Sequence, residues 1–148
     1  MEEHKEKIAI GSDHAGYPLK EKIKNFLNEK GYEVKDYGTH SEESTDYPDY
    51  AHPLSADIEE GIMPVGIVIC GSGNGVNMTA NKHQGVRSAL CWNAEITRLA
   101  RQHNNANVLA LPGRFLEEVN ALEMVGIFLN TPFEGGRHQK RVDKIPCS

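Results

Sequence analysis

Val65-Gly66-Ile67-Val68-Ile69-Cys70, followed at once by Gly71-Ser72-Gly73-Asn74-Gly75, is the stretch on which the reading of this 148-residue chain turns. Its first six residues carry no charge and are almost continuously apolar, the pattern of a strand buried on both faces at the centre of a parallel sheet. Outward from it, short Ile- and Val-rich runs alternate with helical patterns. On the N-terminal side, Lys7 to Gly11 reads as a strand. A helix follows, with Pro18 in its first turn, an apolar stripe of Leu19, Ile23, Phe26 and Leu27, and Gly31 closing it. Val34 to Tyr37 is a second strand and Tyr50 to Gly61 a second helix. On the C-terminal side, Val76 to Lys82 reads as a short helix and Arg87 to Cys91 as a strand. Ala94 to His103 is a helix, Val108 to Leu111 a fifth strand and Phe115 to Asn130 a last long helix. Strands separated by crossover helices predict a three-layer αβα fold, Rossmann-like (flavodoxin-like), with a five-stranded parallel sheet and a C-terminal helical extension. Ligands of such sheets bind beyond the carboxyl ends of the strands, at the switch in strand order. The loops after the first and third strands are therefore the first places to look for a site.

Composition narrows the class. At 16.4 kDa, with 39% apolar and 25% charged residues, the chain is expected to fold as one domain over 1–148 with a substantial core. No run approaches the ~18 apolar residues of a membrane span, so no membrane partner is expected. Met1 to Lys7 is dense in charge and lacks the apolar core of a secretory leader. Three cysteines, Cys70, Cys91 and Cys147, form an odd set without CxxC spacing. That suits free thiols in a reducing compartment, and cytoplasm is the expectation. A net charge of −5 argues against nucleic acid, whose binding draws on basic surface.

The loops carry the candidate chemistry. Gly11-Ser12-Asp13-His14-Ala15-Gly16 sets a carboxylate beside an imidazole at a strand's end, and helix capping by Ser12 or Asp13 is an equally good reading of it. After the third strand, three glycines within five residues let backbone N–H groups converge on an oxyanion, with the following helix adding its positive end. Neither the Walker A pattern nor GxGxxG fits, which points to a small anion rather than a nucleotide. Cys70 faces those donors, which favour its thiolate. Lowering a thiol pKa from about 8.5 to about 7 raises the thiolate fraction roughly fifteenfold, under about 2 kcal/mol. Positioning and anion stabilisation must supply the rest of any catalysis.

His103, in phase with Ile96, Leu99 and Ala100 near a helix end, reads alone as a core or C-capping histidine. Arg137 and Arg141 stand at i,i+4, which predicts one shared helix face suited to a phosphate dianion. Arg114, after the fifth strand, is a third group of this kind. None of the seven histidines shows HxH or HExxH spacing, so no metal site is expected.

Together these residues resemble the ribose-5-phosphate isomerase B family, which also includes galactose-6-phosphate and allose-6-phosphate isomerases. The resemblance rests on Gly11-Ser12-Asp13-His14, Thr45-Asp46-Tyr47-Pro48, Cys70 to Gly75, Ala80-Asn81-Lys82, Arg101-Gln102-His103-Asn104 and Glu134-Gly135-Gly136-Arg137-His138. It implies a cofactor-free, metal-free exchange of ribose 5-phosphate and ribulose 5-phosphate through a cis-enediolate, a step of the non-oxidative pentose phosphate branch. Carried over by position, Cys70 is the base, while Ser72 and the amides of Gly71, Gly73, Asn74 and Gly75 hold the enediolate oxygens. His103 opens the furanose ring, which overturns its reading as a core histidine. Asp13, Asp46 and Asn104 meet sugar hydroxyls, and His14, Arg114, Arg137 and Arg141 bind the phosphate. Tyr47 and His138 line the same pocket. The C-terminal arginines of this family reach a neighbouring subunit's site, which implies a homodimer with shared sites and allows pairing into a tetramer. Some members place Ser where this chain has Cys70 and a Glu base where it has Val76. Without a carboxylate at 76, the thiol is the candidate base within that loop. A six-carbon sugar phosphate is the alternative substrate, and a non-catalytic sugar-phosphate sensor the alternative class.

Overall fold

Strand periodicity builds the layers. The computed structural model describes residues 6–147, so most of the charged N-terminal stretch read above lies outside the described residues. β1 (Lys7–Ser12), β2 (Glu33–Asp36), β3 (Val65–Cys70), β4 (Ser88–Leu90) and β5 (Val108–Pro112) form one parallel sheet in the order β2-β1-β3-β5-β4. Because successive side chains leave a strand on opposite sides, Ile8, Ile10, Ile67, Ile69, Leu109 and Leu111 face one layer. Ala9, Val68, Cys70, Val108 and Ala110 face the other. The first face packs against α1 (Tyr17–Glu29), α4 (Ala94–Asn104) and α5 (Glu118–Asn130), the second against α2 (Pro48–Glu59) and α3 (Asn74–Ala80). α6 (Gln139–Asp143) completes the chain. No helix among the described residues is long and apolar enough to cross a membrane.

The three-layer α/β architecture is the one expected, with one difference in order. A flavodoxin-like sheet runs 2-1-3-4-5, whereas here the last two strands exchange places. The exchange matters because β5 now pairs with β3 directly, Cys70 opposite Pro112. The loop after β5 thereby lands beside the loop after β3. That loop takes a 3-10 turn over Gly113–Phe115, and α5 starts only at Glu118 rather than at Phe115. The tail also departs from expectation. Gly135 and Gly136 both take positive φ, 69° and 54°, and Gly136–His138 forms a 3-10 turn before α6. Arg137 sits in the 3-10 turn and Arg141 in α6, which follows the turn without a break, so the helix expected over the two arginines opens as a 3-10 turn.

A buried charge network fastens α1 to the end of β2. Lys20 is fully buried, and its Nζ donates to Asp36 Oδ2 at 2.6 Å while Lys24 Nζ donates to the same oxygen at 2.7 Å. Asp36 Oδ1 accepts from the Gly38 N–H at 2.8 Å. Beyond it, Ser12 N–H donates to Gly38 O and Thr39 N–H to Ser12 O, each at 2.7 Å. The strand end that carries the first candidate loop is thereby held from its side. Burial works to raise the Asp36 carboxyl, but the hydrogen bonds from Lys20, Lys24 and Gly38 outweigh it and hold the group below its ordinary value.

Candidate active site

The loop after β1 is shaped by its own polar groups. Asp13, 7% exposed, uses Oδ1 to accept from the Gly16 N–H at 3.0 Å, and its own N–H donates to Ile69 O at 3.3 Å. Asp13 therefore shapes the loop before α1, whose N-cap is Gly16 and has no side-chain cap, and its own N–H ties it to β3. His14 Nδ1 accepts from the Thr45 N–H at 3.1 Å. Since an N–H can only donate, the ring proton sits on Nε2, which is left as a donor.

The loop after β3 supplies the thiol and the amides. Cys70 is 5% exposed and shares the α2 and α3 side of the core with Val76. Gly73 takes φ +80°, a conformation that needs glycine, and no side chain caps the helix that follows. α3 is only seven residues long, so the loop amides, more than a helix end, are the donors here. Ser72 Oγ accepts from Asn74 N–H at 3.3 Å and from Asn74 Nδ2 at 3.1 Å. The hydroxyl's own proton then stays available to donate. A Cβ on Gly75 would stand 2.5 Å from the ring of Tyr47, so the missing side chain is what lets the phenol lie over the loop.

β5 contributes the cation. Arg114 N–H donates to Gly71 O at 3.0 Å, and its guanidinium Nη1 lies 3.0 Å from where a Gly71 Cβ would be. Asp13, His14, Tyr47, Cys70, Gly71, Ser72, Gly75 and Arg114 line one cavity of about 440 Å³ together with Ala15 and Phe115. The sequence reading missed the last two. Phe115, 76% exposed, was assigned to a helix, and its adjacency to Arg114 was the signal available. Asp46, exposed, precedes Tyr47 at the start of α2, and Gly73 and Asn74 continue the loop.

The remaining candidates stand elsewhere on the chain. His103 lies at the end of α4, where Ala106 N–H returns to Ala100 O and Gly66 N–H donates to Asn107 O. That is the level of the amino end of β3. With Gly66 opposite Val108 and Cys70 opposite Pro112, four residues of strand, about 13 Å, separate the two levels. α4 also packs on the face opposite the Cys70 side chain. One chain therefore keeps His103 away from its own Cys70, both along and across the sheet. His103 instead stacks on His138, centroids 4.3 Å apart and planes 15° from parallel. Glu134, tied to α4 by its N–H to Gln102 O at 3.0 Å, lies beside both rings. Arg137 and Arg141 are exposed in the same tail. Asn104 borders a separate cavity of about 300 Å³ with Asn81, Ser88 and Ile145.

The three cysteines are unpaired. Burial pushes the Cys91 thiol up to about 11 in spite of a hydrogen bond with Thr97, which makes it a packing residue.

Known proteins share this layout. The Ribose/Galactose Isomerase family matches residues 8–145. Ribose-5-phosphate isomerase B of Escherichia coli K12 is 45% identical over 94% of this chain and 93% of its own length. A ribose 5-phosphate isomerase of Thermotoga maritima has the same fold at a TM-score of 0.94 and 52% identity, covering 97% of this chain and 99% of that one. Ribose-5-phosphate isomerase B of Mycoplasma genitalium, solved with bound ribulose-5-phosphate, reaches 0.91 at 43% identity over 96% and 95% of the two chains.

Proposed function

The chain belongs to the ribose/galactose isomerase family and interconverts ribose 5-phosphate and ribulose 5-phosphate, and from this premise we propose that each of its sites is built from two copies. One copy gives the cavity around Cys70. The other gives His103, Asn104, His138, Arg137 and Arg141. The observation that carries this reading is the separation of His103 from Cys70 within one chain, along and across the sheet. The smallest assembly that satisfies it is a homodimer with two-fold symmetry, which closes with two equivalent sites. Three free cysteines accord with a cytoplasmic setting.

In this arrangement the phosphate is held by His14 Nε2–H and Arg114 of one copy and by Arg137 and Arg141 of the other. His103 transfers a proton to the ring oxygen, the bond between that oxygen and C1 breaks, and the C1 hydroxyl gives up its proton to solvent as the furanose opens to the aldehyde. Cys70 thiolate then removes the C2 proton. The C–H electron pair becomes the C1–C2 double bond, and negative charge moves to O1, where Ser72 and the loop amides meet it. The thiol returns its proton to C1, while a proton moves from O2 to O1, and the ketose results. Asp13, Asp46 and Asn104 fix the remaining hydroxyls.

This division of labour separates ring opening from proton transfer, and the two substrates report on them differently. Ribulose 5-phosphate has its C5 oxygen phosphorylated and is open-chain, so its C1 proton exchange does not need His103. His103→Asn is expected to lower ribose-to-ribulose turnover by about 10²-fold or more while deuterium from D2O still enters C1 of ribulose 5-phosphate. Loss of exchange along with turnover, in a folded variant, would contradict the ring-opening role.

A further inference from the structure

The geometry points to a second use of the His103 cluster: we propose that His103, Glu134 and His138 bind a divalent transition cation of the zinc class, and that its occupancy withdraws His103 from ring opening. Two imidazoles and one carboxylate make a donor set for borderline-soft ions with a further position left open. Their ligand atoms all lie within 4.8 Å of one another. Glu134 Oε1 stands 3.4 Å from His138 Nε2 and 4.0 Å from His103 Nε2. Tetrahedral zinc at about 2.0–2.1 Å from each ligand sets donors roughly 3.3 Å apart, so closing the site takes small rotations of side chains. Those that must move most, His103 at 38% and Glu134 at 50% side-chain exposure, are free to do so.

An independent observation marks the place. His138 is 8% exposed, and its Nε2 is buried with no hydrogen-bond partner among the described residues. Glu134 is close, but the approach is not in hydrogen-bonding geometry. Buried polar atoms are ordinarily satisfied, and a cation bound to this nitrogen would satisfy it. The two segments that carry the ligands are already pinned together, Arg101 Nε donating to Thr131 O at 3.0 Å and Glu134 N–H to Gln102 O at 3.0 Å. The contrast is the other histidine cluster. There His52 Nδ1 and His83 Nε2 hydrogen-bond to each other at 2.8 Å, and Glu59 is engaged by His83 and the Gly85 N–H, so its donors are already matched.

Sequence spacing concealed the site because its ligands come from two segments, a Glu-x-x-x-His pair in the tail and a histidine 31 residues before it. The ion is not a cofactor in this account but an inhibitor. That consequence rests on the role proposed above for His103, whereas the binding does not.

The test is a titration of the full chain, first stripped with chelator, with Co2+ as a spectroscopic probe and Zn2+ by calorimetry. The expected result is a single ion per chain, with ligand-field bands of nitrogen and oxygen donors and no thiolate charge-transfer band. Glu134→Gln and His138→Asn, with circular dichroism matching wild type, are expected to abolish those bands. Isomerase activity is expected to fall in step with occupancy and return on chelation. Absence of the bands in wild type at millimolar Co2+, their persistence in both variants, or a thiolate band would overturn the site. Saturation without loss of activity would leave the site standing and remove the ring-opening role from His103.

Discussion

Cys70→Ala is expected to lower kcat/KM for ribose 5-phosphate by about 10²–10⁴-fold, the range for loss of a positioned general base, equivalent to about 3–5 kcal/mol of transition-state stabilisation. The expectation follows from what surrounds the thiol. Its cavity neighbours are Asp13, His14, Tyr47, Ser72 and Arg114. Asp13 is committed to Gly16 and His14 Nδ1 to Thr45, and position 76 offers a buried valine rather than a carboxylate. Among the described residues that line this cavity, the thiol is the group proposed as the base. Because the groups proposed to hold the phosphate are left untouched, KM is expected to change little and the loss to appear in kcat. Removing one sulfur from a 5% exposed site costs on the order of 1–2 kcal/mol of stability, so unfolding stays cooperative. Initial rates and thermal melts of wild type, Cys70→Ala and Cys70→Ser decide it. A folded alanine variant that keeps a tenth or more of wild-type kcat would show the base to be another group.

Asp36→Asn is expected to destabilise the fold by about 3 kcal/mol, the low end of the ~3–5 kcal/mol for breaking a buried ion pair from one side. The fully buried Lys20 loses its 2.6 Å partner and keeps Glu21, at 3.2 Å and 38% exposed, and the face of the Tyr17 ring, 5.3 Å from its centroid. Asparagine retains an oxygen for the Gly38 N–H, so the change isolates the charge. Tm should drop by roughly 6–12 °C for a domain of this size. The sign of the pH dependence follows from the depressed Asp36 carboxyl. Its contribution is complete above the ordinary value of 3.8 and fades as pH falls from there through the folded value. The gap between wild type and variant should therefore close in acid. Urea unfolding at neutral pH and at successively lower pH measures both, and adding Lys20→Met to Asp36→Asn should restore part of the loss. Equal stability of Asp36→Asn and wild type at neutral pH would mean that the pair contributes nothing.

Much of this molecule is legible in the sequence because its strands are short and apolar and its helices amphipathic. Val65 to Cys70 announced a central strand, and the glycines after it announced the donors. The helix expected over Ala94 to His103 ends close to that point, where Asn105 closes α4 with φ 50°. What the sequence concealed was long-range. Ser88-Ala89-Leu90 is a half-buried edge strand of three residues, and nothing local says on which side of β5 it pairs. Lys20 falls beside the Leu19 and Ile23 stripe, and only its meeting with Asp36, sixteen residues on, explains a buried ammonium. Arginines at i,i+4 suit the helix that the tail does form, but its entry through two consecutive glycines at positive φ and a 3-10 turn is not legible in that spacing. Most consequential, the motif around His103 gave its identity but not its side of the sheet. That is fixed by the packing of α4 and by the level at which the helix ends.

The shared site is tested most directly by mixing two inactive proteins. Cys70→Ala and His103→Asn chains, unfolded together and refolded, form hybrids in half of their dimers. In each hybrid, one site pairs an intact Cys70 from one chain with an intact His103 from the other. Random pairing predicts recovery of about a quarter of wild-type activity, as two-fold symmetry with one good site of two requires. If His103 served the Cys70 of its own chain, no hybrid would hold an intact site, and a mixture as inactive as its parents would contradict the account.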